Sequence, residues 1–374
     1  MPRHVLHVSE VSWGGVVSLL RDFAAEQLAR GETVSMLVPP PFPDIGLPGV
    51  SRTDWPIDRR RPITLPRAVA QLHSEVRRLR PDVVHLHSAF AGFLGRLPLL
   101  SGTGAVPVVY QPHAWSFDMF PDGRTRKVAQ LWERVASRRT DVLVANCSDE
   151  IDQGRGVGVV GPARSLGVPL DVQHFHVVDA EEAARWRRQT GLTQRRTLLC
   201  IGRLVRQKGQ DLLVAEWEAN PVPGAELVLL GPGDPEPLRA LAPTQWGTTI
   251  RWVGEQADVR PYLWASELLV LPSRYETVAV VVAEAMACGR PVVACAVNGA
   301  RMAVSDGPHP PGGEVVDKGD MTALLAAARR LLDDDSLRAT LADAGRKRVA
   351  DMFAPALVAD RLAEAYSLAQ EEKR

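Results

Sequence analysis

Leu268-Leu-Val-Leu-Pro272-Ser-Arg-Tyr-Glu276-Thr-Val-Ala-Val280-Val-Val-Ala-Glu284-Ala-Met-Ala-Cys288-Gly-Arg-Pro291-Val-Val-Ala294 is the stretch that decides the fold. Leu268–Leu271 is an apolar run of strand length, and Pro272, which cannot donate to a ladder, stops it. A short loop carries Glu276, and a helix then runs to a Gly-Arg-Pro stop. A strand that turns into a helix puts Glu276 in the crevice beyond the strand's carboxyl end, where open α/β sheets bind ligands. The free N–H groups of Val278, Ala279 and Val280 are expected to hold a phosphate there, and Glu276 the hydroxyls of an attached sugar. Glu284 follows eight positions later. That spacing is common by chance; its place at a strand-to-helix junction is what gives it meaning.

The 374 residues carry 44 basic and 44 acidic side chains and are 45% hydrophobic, enough for two domains with separate cores. Zero formal net charge argues against nucleic acid as a partner, because binders of a phosphate backbone need a cationic surface. Cys147, Cys200, Cys288 and Cys295 show no metal-type clustering and read as reduced core thiols. The chain opens directly into the strand-like Val5-Leu-His-Val8, without a signal core, and no apolar run approaches the ~20 residues that span a bilayer. A soluble, cytoplasmic protein is expected.

Strands and helices alternate throughout. In the first half, His4–Val8, Thr33–Val38, Val83–Leu86, Val106–Tyr110 and Val142–Ala145 read as strands; Gly15–Arg30 and Leu65–Leu79 read as helices. The pattern breaks at Gly154–Arg164. A second series then gives strands at Thr197–Ile201, Glu226–Leu230, Ile250–Val253, Glu267–Leu271 and Pro291–Ala294, with helices between and after them. Two successive βαβ arrays specify an α/β fold with two Rossmann-like domains, their boundary near residues 175–195 and ligands expected in the cleft. A nicotinamide cofactor fails two tests. Ser9–Ser18 lacks G-x-G-x-x-G, and the next strand ends Met36-Leu-Val-Pro-Pro rather than in an acidic residue. The glycine pair Gly14-Gly15 still lets backbone come close to a ligand.

Gly202-Arg203-Leu-Val-Arg206-Gln-Lys208-Gly209 leaves the first strand of the second series, at the same kind of strand end as the Glu276 loop. A solvated basic turn is the plain alternative. Two cations aimed at one cleft suit a diphosphate, Arg203 as a chelating fork and Lys208 as a point charge. Asp333-Asp-Asp335 looks like a helix end and an N-cap, and no set of His, Cys or carboxylates suits a metal, so neither metal nor other cofactor is expected. Aromatic residues from Trp13 to Phe120, Trp115 among them, gather near strand ends, where core packing competes with stacking on an acceptor sugar. His85 and His87 share a face of one strand; His87 either lines the acceptor side or is a satisfied structural histidine. Arg59-Arg-Arg61 and Arg77-Arg78-Leu-Arg80 are either solvated surface or a peripheral contact with an anionic membrane.

Together these residues resemble the retaining glycosyltransferases of family 4, over nearly the whole chain and most specifically from Leu198 to Ala294. Gly202-Arg203…Lys208-Gly209 is similar to that family's G-R-x4-K-G loop, Glu276…Glu284 to its E-x7-E motif, Gly14-Gly15 to its N-terminal glycine pair, and Gln111-Pro-His113 to its strand-end histidine. The resemblance implies a GT-B fold, with two Rossmann-like domains facing across a cleft. It divides the chain into an acceptor domain (1–178), a nucleotide-sugar domain (179–352) and a C-terminal helix (353–374) packing back on the first. It further implies that Glu276 binds sugar hydroxyls, Glu284 the nucleotide ribose, and Arg203 with Lys208 the diphosphate. His113 would sit by the sugar, its backbone carbonyl stabilising positive charge at the anomeric carbon. The implied reaction moves a sugar from a nucleoside diphosphate to a hydroxyl of a glycan, lipid-linked or natural-product acceptor, with same-face attack and retained configuration. Two departures stand out: Glu276-Thr-Val278-Ala279 replaces Glu-x-Phe-Gly, and Leu166-Gly-Val-Pro-Leu-Asp171 replaces Asn-Gly-Val-Asp. A phosphorylase, a nucleotide-sugar epimerase or a binding-only protein on the same fold are the alternatives.

Overall fold

The computed structural model describes residues 2–58, 61–97, 102–120, 122–192 and 195–373. The chain divides into two compact units, Met1–Pro169 with Pro355–Arg374, and Leu170–Ala354. The first unit contains β1 (His4–Ser9), β2 (Thr33–Val38), β3 (Val50–Asp54), β4 (Val83–His87), β5 (Val108–Gln111), β6 (Val142–Ala145) and β7 (Ala163–Ser165). The second contains β8 (Arg196–Ile201), β9 (Ala225–Leu230), β10 (Ile250–Trp252), β11 (Leu268–Leu271), β12 (Val292–Cys295) and β13 (Gly313–Val316).

Among the described residues the first sheet has the order β3-β2-β1-β4-β5-β6-β7 and the second β10-β9-β8-β11-β12-β13. Every pairing in both is parallel. Parallel strands need helical crossovers that cover both faces, which is why β4 (Val-Val-His-Leu-His) and β11 (Leu-Leu-Val-Leu) are buried at every position. The strand order reverses between β1 and β4 and again between β8 and β11, so loops diverge and leave a crevice at each of those carboxyl ends. Three strands lie outside the sequence-based expectation: β3, β7 and β13. All are at sheet edges, and β3 (Val-Ser-Arg-Thr-Asp) is mostly exposed, so it lacks the apolar run that marks its buried neighbours.

The final helix, Pro355–Glu372, belongs to the first unit, where it buries Val358, Leu362, Tyr366 and Ala369. It is tied down by Arg30 to Asp360 at 2.7 Å and by Arg361 Nη1 donating to the Leu166 carbonyl at 2.9 Å. Among the described residues no helix is long and apolar enough to cross a membrane.

A buried ion pair braces the helices around the first crevice. Arg96 and Glu133 meet at 2.8 Å with both side chains 1% exposed. The Arg96 guanidinium also donates to the Gly92 carbonyl at 2.7 Å and lies 3.7 Å from the Tyr110 ring centre. Removing one partner of such a pair strands the other charge, whereas removing both does not. Glu133→Ala is therefore expected to destabilise the protein by about 3–5 kcal/mol and the double change Arg96→Met/Glu133→Leu by far less. Denaturant unfolding of the two variants checks this; equal losses would contradict it.

Candidate active site

At the β8/β11 edge, Gly202 leaves β8 and the chain makes a short turn, Arg206–Lys208, before the helix Gln210–Ala219. Gly209 sits at φ 70°, and a Cβ there would lie 2.1 Å from the Pro272 carbonyl oxygen, so only glycine fits between this turn and the end of β11. The two loops are laced together. Gln207 Nε2 donates to the Tyr275 carbonyl at 3.2 Å, the Arg274 amide donates to the Gln207 carbonyl at 2.8 Å, and Arg274 grips Asp211 through two bonds of 2.7 Å. Gln210 Nε2 holds the carbonyls of Gly202 and Arg203 at 3.1 and 3.0 Å.

This lacing delivers Lys208 onto Glu276: Nζ donates to Oε1 at 2.7 Å, and Ser273 Oγ donates to the same oxygen at 2.8 Å. The two side chains are 18% and 8% exposed. Arg203 is half-buried at the start of the same turn.

The helix after Glu276 spans Val280–Ala287 with Ala279 as its N-cap, and the Val282 amide is spent on the Ala279 carbonyl at 2.9 Å. Val280 and Val281 thus supply the first-turn amides; Ala279 caps the helix and Val278 precedes it. Glu284 lies one turn further on, and burial pushes its carboxyl up to about 7.

At the β1/β4/β5 edge, Gly14 (φ 71°) is the N-cap of the helix Gly15–Ala29, and a Cβ at either glycine would meet nothing within 4 Å. Both are exposed. Glu10, also after β1, accepts from the amides of Phe90 and Ala91 at 3.0 Å each and so caps the helix that follows β4. Trp115 is 1% exposed, stacked on Phe117, and donates its indole N–H to the Glu150 carbonyl at 2.7 Å. His87 is fully buried, its ring nitrogens 2.9 Å from His7 Nδ1 and 2.9 Å from His113 Nε2. Both Trp115 and His87 therefore have their polar atoms engaged by the protein.

His113 and Ala114 take positive φ, 53° and 95°, outside the region that side chains prefer. Glu150 pins this turn by accepting from the Ala114 amide at 2.9 Å and from the Asn146 amide at 3.1 Å. Burial drives the Glu150 carboxyl up to about 7, against the pull of those two amides. Burial also lowers His113 to about 3 and His7 to about 4, and puts His85 and His87 well below the ordinary histidine value, helped by neighbouring histidines. His7, His85 and His87 bring ring nitrogens within 4.8 Å of one another, the reach of one metal ion, but His7 and His87 turn facing nitrogens toward each other at 2.9 Å.

Sequence reasoning singled out Arg203, Lys208, Glu276 and Glu284, which the second unit gathers at one edge, and His87, His113 and Gly14-Gly15, which the first unit gathers at its own. It missed His7, Gln27, Glu150, Asp211, Ser273, Arg274 and Tyr366. Their partners lie as far off as Tyr366 from His85, and no local pattern links them.

Comparison with known proteins places the chain in a family. A family model described as Glycosyltransferase Family 4 matches residues 13–165, and one described as Glycosyl transferases group 1 matches residues 195–334. The D-inositol 3-phosphate glycosyltransferase 1 of Catenulispora acidiphila is 32% identical over 324 residues, covering 78% of this chain and 73% of that protein. A GDP-mannose-dependent monoacylated alpha-(1-6)-phosphatidylinositol monomannoside mannosyltransferase of Corynebacterium glutamicum is 28% identical, covering 93% of each chain. Among solved structures, sucrose-phosphate synthase of Thermosynechococcus elongatus superposes with a TM-score of 0.84 at 24% identity, covering 98% of each chain. The chain belongs to glycosyltransferase family 4. It has the GT-B fold of two parallel Rossmann-like sheets and is a retaining glycosyltransferase, moving a sugar from a nucleotide sugar to an acceptor.

Glu284 has an ordinary value of 4.5 and about 7 in the fold, so between these the native state holds a proton that the unfolded chain releases. Its contribution to stability is fully present below about 4.5 and is lost as pH rises through about 7. Glu284→Gln cannot ionise. Its unfolding free energy should gain on that of the native sequence by up to about 1.4 kcal/mol per pH unit across this window. Parallel pH curves from chemical denaturation would refute the assignment.

Proposed function

We propose that the pair Lys208–Glu276 is the heart of the donor site, and that this enzyme transfers a hexose from its nucleoside diphosphate. Arg203 and Lys208 take the diphosphate, joined by amides at Val278–Val280; Glu276 accepts from hydroxyls of the sugar, and Glu284 from the ribose. The observation that carries this assignment is the 2.7 Å contact of Lys208 with Glu276. It puts a phosphate-binding cation and a hydroxyl-binding carboxylate one sugar's width or less apart. An incoming diphosphate draws Nζ from the carboxylate, which is then free for the sugar. His113 is assigned to the same reaction, its backbone carbonyl stabilising the charge that develops at the anomeric carbon. No metal is required, because the guanidinium, ammonium and amides carry the leaving-group charge.

The 1–178 segment is assigned to the acceptor, 179–352 to the nucleotide sugar, and 353–374 to the returning helix. Gly14 and Gly15 leave backbone open to the donor. His87 and Trp115 are buried with their polar atoms engaged, so they support the loop that carries His113 rather than meeting an acceptor themselves. The two relatives above are named for inositol-phosphate and phosphatidylinositol-mannoside acceptors, which favours a polar head carrying a free hydroxyl. A cytoplasmic enzyme touching the membrane periphery fits the second of these.

For that contact, Arg59 and Arg60 lie outside the described residues, and Arg78 is engaged by Glu75 at 2.5 Å. The helix Arg124–Ala136 is better suited. Val128, Leu131 and Val135 are 67%, 59% and 46% exposed along one face, with Met119 and Phe120 exposed just before it. Exposed Arg124, Lys127, Arg134, Arg138 and Arg139 flank them. An apolar stripe bordered by cations is the pattern of a helix lying in an anionic lipid surface.

Donor hydrolysis across UDP-, GDP- and dTDP-hexoses is expected for one nucleotide class. Glu276→Gln and Lys208→Met should each lower turnover by about 10²–10³-fold while circular dichroism stays unchanged. Normal transfer by Glu276→Gln would refute its role. Binding of nucleotide sugar without turnover by the native protein would contradict the assignment. In sedimentation with vesicles, the protein should follow phosphatidylglycerol-containing but not pure phosphatidylcholine membranes, and Leu131→Glu should abolish this. Equal recovery with both lipids would argue against the helix.

A further inference from the structure

The polar side chains behind His113 form one continuous chain, and its direction can be worked out. Gln27 Oε1 lies 2.9 Å from His7 Nε2, and Gln27 Nε2 donates to the Tyr366 hydroxyl at 3.3 Å. An amide oxygen only accepts, so His7 carries its proton on Nε2. A neutral imidazole has one donor and one acceptor, which leaves His7 Nδ1 to accept from His87 Nε2 at 2.9 Å. His87 Nδ1 must then accept from His113 Nε2, again at 2.9 Å. The outcome is a His113 ring protonated at Nε2, with a bare lone pair on Nδ1.

That Nδ1 is out of contact with solvent and has no hydrogen-bond partner among the described residues. Burial keeps the rings neutral, His7 at about 4 and His113 at about 3, so the one-donor, one-acceptor logic holds. The Tyr366 hydroxyl, accepting from Gln27, donates to His85 Nδ1 at 2.9 Å, and it stands on the C-terminal helix packed against this sheet. The backbone of His113 is held from the other side, where Glu150 grips the Ala114 amide.

We propose that His7 and His87 are positioning residues for the transfer reaction. Through this chain of three rings they hold His113 in a single tautomer, and with it the strained turn whose backbone carbonyl is assigned to the transfer. The proposal rests on that assignment of His113. It adds that the tautomer is set some three side chains away, at Gln27 and Tyr366. Reversing the Gln27 amide would reverse every bond and make His113 Nδ1 a donor, so the direction is open to measurement.

The test is long-range ¹H–¹⁵N correlation on the full-length protein with ¹⁵N-labelled histidine, the rings assigned by single His→Gln changes. The native protein should show His7, His87 and His113 neutral and protonated at Nε2. In His87→Leu, His113 should populate both tautomers. In His87→Asn, whose Oδ1 stands where Nδ1 was, the native tautomer of His113 should persist. Transfer, measured with whichever nucleotide hexose supports turnover, should fall about 10-fold or more in kcat for His87→Leu. It should recover largely in His87→Asn, with affinity for the free nucleoside diphosphate unchanged in both. His113 protonated at Nδ1 in the native protein, or a tautomer indifferent to His87→Leu, would overturn the proposal; the native spectrum decides even if the leucine variant fails to fold. Normal transfer by His113→Ala would instead remove the role of His113 itself, whatever the spectra show.

Discussion

Every strand in both sheets runs the same way, and that one constraint places everything else. Parallel strands put all their carboxyl ends on one edge, and the reversal of strand order beside β1 and beside β8 makes neighbouring loops part there. Lys208 and Glu276 leave from the paired strands β8 and β11; Gly14, His87 and His113 leave from β1, β4 and β5. Backbone amides that crossovers cannot satisfy collect at the same edges. Polar side chains that would be costly in the middle of either sheet are useful at its rim.

The two edges solve the problem of buried polarity in opposite ways. At β8/β11 an ion pair does so: Lys208 and Ser273 both donate to Glu276, and the bonds from Gln207 to Arg274 fix the loops that carry them. At β1/β4 burial strips the histidines of charge, and hydrogen bonds between neutral rings replace ion pairs. The donor role proposed for the first edge calls for the first arrangement.

The buried strands were legible because a parallel sheet covered on both faces demands short, continuous apolar runs; Leu268–Leu271 and Val142–Ala145 came out at the bounds the structure has. The edge strands β3, β7 and β13 were not, because one side of each faces no neighbour and its composition is free to be polar or short. The two loops that meet at the β8/β11 edge were legible for a similar reason: a glycine, a nearby lysine and a carboxylate after a proline-stopped strand are all local features. The start of the helix at Val280 was not, since Ala279 caps it without a side-chain hydrogen bond that would mark the boundary.

From composition and periodicity alone, the chain had to be two parallel α/β arrays with a cationic turn and a carboxylate at the ends of buried strands. Those outcomes depend on residues close in sequence, where hydrophobic burial and backbone geometry act without reference to the rest of the molecule. Only the tertiary structure decided that His7 lies beside His85 and His87, that Gln27 and Tyr366 orient them, and that Glu150 holds the strained turn at Ala114. Each of those contacts depends on strand register or on the docking of the final helix, and a hydrogen bond formed across such distances leaves no periodic mark on the chain.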